Sequence, residues 1–254
     1  MRIADIEYSS LKGKVSESEW TARVELAAIY RLYRFFGWWD MLQAPASAQV
    51  PGEPNYLFVP DVCVWDDVTA SSLVKITIQG EAASETPFRI IQEAWYPMRA
   101  IHEARVDASF VIHTHDPHVV ALSAQKEGLL PISQTAAIVL GGKLAVHEYD
   151  GIETYESAIP GLQKSLGDSN AMILRHHGAV VLGRTAYEAL WRMDQLLLAC
   201  RIQLLAGSTK ELLQLPPRIV ATFPGEIERA GVGPAPQWEG LLRVLDRIDK
   251  TYRE

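Results

Sequence analysis

Cysteine is scarce in this chain. Two occur in 254 residues, Cys63 and Cys200, both in apolar surroundings and neither beside a histidine cluster. That argues against a disulfide framework. No apolar segment is long enough to span a bilayer, and the start, Met1-Arg-Ile-Ala-Asp-Ile-Glu7, has no apolar signal core. The expectation is a cytoplasmic protein. No basic run carries interleaved aromatics, and the net charge is −7. Nucleic acid and anionic membranes are therefore not expected as partners. Internal repeats and low-complexity tracts are also absent. What remains is an ordinary globular composition, 48% hydrophobic and 22% charged. It is read as one domain over 1–254, with a core of about 16–207 followed by a linker and helix over 208–254.

The most informative stretch is Phe110-Val-Ile-His113-Thr-His115. Three apolar residues run into a His-x-His pair, and Asp116-Pro117-His118 follows. Side chains two apart on a strand share a face, so His113 and His115 aim at one point where the strand ends. A second histidine pair, His176-His177, sits between the strand-like runs Met172–Leu174 and Ala179–Leu182. Imidazole suits zinc, iron, copper and nickel, and three protein ligands with an open position is a catalytic layout. An isolated histidine at a strand end is most often a polar cap. Here four of the seven histidines fall at two strand ends, which favours a metal.

Around these motifs, helices and strands alternate, which predicts an α/β layered fold. Ser16-Glu-Ser-Glu19 forms a capping box before a helix that Gly37 ends, and the first ~15 residues read as a flexible or docking arm. Trp38, Trp39 and Met41 make a bulky apolar cluster, read first as core and second as a subunit contact. A turn at Thr69-Ala-Ser71-Ser72 can present hydroxyl and N–H donors to an anion, although a plain Ser/Thr turn is the simpler reading. Ile90–Ala104 reads as a helix whose true start Pro97 sets near Tyr96. Pro131–Thr135 reads as a short helix, Pro160-Gly161 as a break, and Thr185–Leu205 as a long amphipathic helix. Pro216-Pro217 and Pro224-Gly225 read as linker before a last helix over Trp238–Tyr252.

Several stretches together resemble the class II aldolase/adducin family over nearly the whole chain. They are Val68–Lys75, His102–Asp107, Val111–His115, Leu129–Gln134, Leu174-Arg-His-His-Gly178 and, at the end, Trp238–Asp249, which looks like the adducin-type branch. The resemblance implies a three-layer α/β/α sandwich with a mostly antiparallel central sheet. It also implies a homo-oligomer, often a tetramer, with sites near subunit interfaces. The family's metal ligands fall on His113, His115 and His177, which would hold one divalent ion per chain (Zn2+, Fe2+, Mn2+ or Co2+). His176 stands where the family usually has Asn. Thr69, Ser71 and Ser72, together with Ser47, are the substrate-binding candidates.

Three departures from the family pattern bear on chemistry. The aldolase-type Glu before the His-x-His strand falls on Ala94, with Glu93 as its neighbour. A histidine common on that helix is Met98. The usual His-Ile-Ser-x-Arg segment reads Pro45-Ala-Ser47-Ala-Gln49, which argues against a phosphorylated sugar substrate. The expected activity is a metal-dependent carbon–carbon lyase, aldolase or decarboxylase in type, acting on a small oxo- or hydroxy-carboxylic acid. Glu93, His118 or a tyrosine from another subunit would move the proton. Oxidative decarboxylation by a non-haem Fe(II) oxygenase is the alternative, and a non-catalytic adducin-like interaction domain is the third reading.

Overall fold

The structure is a computed structural model, which describes residues 8–38, 40, 43–151, 155–207, 211–229 and 235–254. Seven strands form one sheet: β1 (Ala46–Gln49), β2 (Tyr56–Phe58), β3 (Val74–Ile76), β4 (Phe110–Thr114), β5 (Leu144–His147), β6 (Ala171–Leu174) and β7 (Gly178–Gly183). Their order is β3-β2-β1-β4-β7-β6-β5. Every neighbouring pair is antiparallel except β5 with β6. The central strands β4, β6 and β7 are buried on both faces, so they read as continuous apolar runs rather than alternating ones.

Nine helices are described: α1 (Glu17–Phe36), α2 (Gln92–Ala104), α3 (Pro117–Ser123), α4 (Gln134–Gly141), α5 (Ile159–Leu166), α6 (Ala186–Ala206), α7 (Pro217–Val220), α8 (Phe223–Arg229) and α9 (Ala235–Ile248). One face of the sheet is covered by α1, α3 and α6, with α4 against α6; the other is covered by α2 and α5. This is the three-layer α/β/α arrangement with a mostly antiparallel sheet.

The start of α1 follows its local chemistry. Ser16 accepts a hydrogen bond from the Glu19 N–H at 3.1 Å, and Glu19 pairs with Arg23 one turn on. Gly37 closes the helix at φ 76°, a left-handed conformation that glycine adopts without a Cβ penalty.

Three local expectations change. Helix α2 begins at Gln92, and Pro97 lies inside it. The first turn of α2 is tightened, with the Ala94 N–H on the Ile91 carbonyl; Pro97 follows in the second turn, where its missing N–H removes only the bond to the Glu93 carbonyl. Pro160 does not break a helix; it occupies the first turn of α5, where its missing N–H is no loss. The segment expected to be a linker instead packs on the domain. Pro217 starts α7, the Leu215 N–H donates to the Pro131 carbonyl, and a Cβ at Gly141 would come within 2.9 Å of the Val220 carbonyl. Of the bulky cluster, Trp38 is buried and stacks on Phe36 at 4.9 Å, while Trp39 and Met41 lie outside the described residues.

Candidate metal centre

The strand register places the beginning of β1, the end of β4 and the beginning of β7 at one end of the sheet. Three histidines converge there. His113 is on β4, His115 just past it, and His177 in the turn between β6 and β7. The His115 Nε2 lies 2.8 Å from the His113 Nε2 and 2.8 Å from the His177 Nε2. The opposite ring nitrogens of the first two are tethered. His113 Nδ1 donates to the Ala179 carbonyl at 2.9 Å, and His115 Nδ1 lies 2.5 Å from Asp40 Oδ2. With the proton on Nδ1, each Nε2 turns a lone pair toward the others. Burial, followed by the two neighbouring imidazoles, pushes the His113 pKa well below its ordinary value and keeps it neutral.

Close lone pairs on neutral nitrogens repel unless a cation lies between them. The donor set therefore fits a divalent ion. A tetrahedral zinc site with Zn–N of about 2.0–2.1 Å separates ligand nitrogens by roughly 3.3 Å, only slightly wider than this cluster.

The surrounding chain holds the three rings in place. A Cβ at Gly178 would overlap the Thr114 carbonyl oxygen and come within 3.1 Å of His115 Cδ2, so β7 can approach β4 only with glycine there. The turn carrying His177 is clamped to α3. Arg175 donates to the carbonyls of Ser123 and Gln125, and the His176 N–H donates to Ser123 Oγ at 2.8 Å. His176 itself sits at φ 59°, a left-handed conformation that Asn, Asp and His tolerate best among residues with side chains.

The remaining sequence candidates are placed as follows. His118 is at the start of α3, with a side chain 41% exposed and its Nδ1 3.0 Å from Asp116. Glu93 is exposed on the first turn of α2; Ala94 and Met98 pack in the interior of that layer. Ser47 is fully buried on β1, and its hydroxyl lies 2.8 Å from His102 Nε2 rather than opening on a cleft.

The turn at Thr69, Ser71 and Ser72 is also buried, and its backbone N–H donors are already taken. The Thr69 and Ser72 N–H groups bond to each other's hydroxyls, while the Ala70 and Ser71 N–H groups donate to the backbone oxygens of Tyr252 and Glu254. Tyr8 and the Leu11 N–H cover the hydroxyls of Thr69 and Ser71. In this structure the turn anchors the two ends of the described chain instead of presenting free donors to an anion.

Asp40 was not singled out by the sequence reading. Its signal was a lone carboxylate inside the apolar run Trp38-Trp39-Asp40-Met41. The left-handed cap at Gly37 turns the chain over the end of β4, where the Thr114 hydroxyl holds the Trp38 carbonyl at 3.2 Å.

Residues 24–204 match the family profile described as "Class II Aldolase and Adducin N-terminal domain". The chain belongs to this family. A Caulobacter vibrioides protein, whose name places it provisionally in aldolase class 2, is 40% identical over 249 residues, covering 96% of each chain. Rat (Rattus norvegicus) alpha-adducin is 36% identical over 89% of this chain, which spans 33% of that protein. A solved aldolase II superfamily protein from Pseudomonas syringae superposes with a TM-score of 0.89 at 38% identity, covering 97% of this chain and all of that one. An L-fuculose 1-phosphate aldolase from Glaciozyma antarctica shares the fold, with a TM-score of 0.80 at 19% identity over 98% and 96% of the two chains. No described helix is long and apolar enough to cross a membrane.

Proposed function

We propose that this protein is a divalent-metal-dependent lyase that breaks a carbon–carbon bond in a small oxo- or hydroxy-carboxylic acid. The observation that carries this reading is the convergence of three imidazole Nε2 atoms at one end of the sheet. His113, His115 and His177 hold the ion. When bound, it supplies Lewis-acid stabilisation of the enolate left by retro-aldol cleavage or loss of carbon dioxide.

Three neutral ligands leave the ion's charge uncompensated by the residues that hold it, which favours a bidentate anionic substrate such as a 2-oxo or 2-hydroxy acid. The Thr69–Ser72 backbone N–H donors are used within the chain, and that too favours a substrate carried by its carboxylate rather than by a phosphate. His118 is the first candidate to move the proton. It follows His115 by three residues and is oriented by Asp116. Glu93 is the second, on an exposed first turn of α2. Assembly into a homo-oligomer belongs to the same proposal. It is supported by the exposed pair Phe35 and Phe36 at the end of α1.

The test is elemental analysis of protein purified without added metal or chelator, followed by turnover screens on oxo- and hydroxy-acids. Retained zinc, manganese or cobalt near one ion per chain with carbon–carbon cleavage is the expected result. Iron with substrate-dependent dioxygen uptake would overturn the lyase chemistry. The likeness to alpha-adducin favours a second reading, a non-catalytic interaction domain, which a chain that retains no metal under any loading would select.

A further inference from the structure

We propose that Asp40 is a positioning residue of the three-histidine centre: its carboxylate fixes the tautomer and orientation of His115 and lends the centre a negative charge through that imidazole. This rests on the metal reading above. Asp40 lies outside the ligand set.

Two of the three imidazoles are tethered by partners of different kinds. The His113 ring is held by a neutral acceptor, the Ala179 carbonyl, on a strand directly paired with its own. That partner comes from backbone geometry and survives substitution of side chains. His115 lies beyond the last residue of β4, and among the described residues its Nδ1 is met by a side chain rather than by a strand carbonyl. Its Nδ1 meets Asp40 Oδ2 at 2.5 Å. With an ionised carboxylate as acceptor this is a charge-assisted hydrogen bond, stronger than a neutral one. It commits the proton to Nδ1 and leaves Nε2 as the lone-pair nitrogen, 2.8 Å from both other Nε2 atoms. Without Asp40 the two tautomers of a neutral imidazole become comparable, and the one carrying its proton on Nε2 would point a hydrogen into the cluster.

The carboxylate is suited to this work. The Asp40 side chain is one-third exposed, at 33%, yet its Oδ1 is buried and has no hydrogen-bond partner among the described residues. Among the described residues, the His115 imidazole is therefore the hydrogen-bond partner of this carboxylate. A carboxylate on the far nitrogen of a ligand histidine raises the basicity of the near one, and loss of such a partner typically costs about 10–100-fold in metal affinity. Asp40 brings a carboxylate to the centre as a partner of a ligand rather than as a ligand.

The experiment compares the metal-free full chain with its Asp40→Asn and Asp40→Glu variants. Zn2+ affinity is measured by competition with a chromophoric chelator, and thermal unfolding of each metal-free protein is recorded alongside. The expected result for Asp40→Asn is a loss of about 10–100-fold in Zn2+ affinity, with Asp40→Glu recovering part of it. A purely structural role would lower the melting temperature and leave affinity in the folded protein unchanged, which would overturn the proposal.

A second readout needs no variant. Long-range 15N–1H spectra of the metal-free protein assign the imidazole tautomers, and His115 is expected to carry its proton on Nδ1. Finding it on Nε2 overturns the inference. If the parent chain binds no divalent ion, the metal reading itself fails. If the parent binds one and Asp40→Asn binds it equally, only the role of Asp40 fails.

Discussion

Two histidine sites in this molecule border the neighbouring strands β1 and β4 and differ in one respect. His102, on α2, is buried and uses both ring nitrogens within the protein: Nδ1 on the Ala108 carbonyl and Nε2 on the Ser47 hydroxyl, each at 2.8 Å. His113 and His115 each spend one nitrogen on the protein and turn the other toward the cluster. A histidine whose second nitrogen is satisfied is a core residue, whatever strand end it borders. A histidine whose second nitrogen meets other imidazoles is prepared for a cation. Burial alone does not separate the two, since His102 and His113 are both buried.

The contrast can be broken most violently at Gly178. Alanine there must displace the Thr114 carbonyl or the His115 ring, so Gly178→Ala should destabilise the fold by about 3 kcal/mol and scatter the cluster. Thermal unfolding and metal content would both report it. Next in size is removal of a converging ring. His113→Ala and His177→Ala should take retained metal from near one ion per chain to none while circular dichroism stays native. If either variant keeps its metal, the ligand assignment is wrong.

His102→Phe should do the reverse. Metal content stays at the parent level, while stability falls by about 1–3 kcal/mol because Ser47 and the Ala108 carbonyl lose their partner. This variant also tests a pH dependence. Burial lowers the His102 pKa to about 3 in the folded chain, against an ordinary value of 6.5. Between those values the unfolded chain binds a proton that the folded chain refuses, so this contribution is complete above pH 6.5 and is lost as pH falls toward 3. Denaturant titrations across that window should show a shallower acid decline in His102→Phe than in the parent.

The smallest effect is expected at His176. Asparagine tolerates the left-handed backbone, so His176→Asn should change stability by no more than about 0.5 kcal/mol and leave metal binding unaltered.

The histidine pairs, the α1 cap and the alternation of helices with strands were legible because each is local. Period-two geometry put His113 and His115 together, and Ser16 with Glu19 announced the helix. The contribution of Asp40 was not legible, because the carboxylate reaches His115 only after the chain turns at Gly37 across 75 residues of sequence. Ser47 and the Thr69–Ser72 turn were ambiguous for a related reason. A hydroxyl or N–H in sequence looks like an open donor until its long-range partner is known, and here His102, Tyr252 and Glu254 fill that place. Prolines misled in the opposite direction. Pro160 and Pro217 mark helix starts, and only tertiary contacts tell a start from a break.

The shared anchor at Thr69–Ser72 couples two parts of the chain that are otherwise remote. Tyr8 and Leu11 hold its hydroxyls, Tyr252 and Glu254 its N–H groups, and Arg31 ties the same corner to Thr251. The early and late segments thus rest on one knot. Their protection from proteolysis or amide exchange is set by a common opening event, and a lesion in four residues would expose both at once.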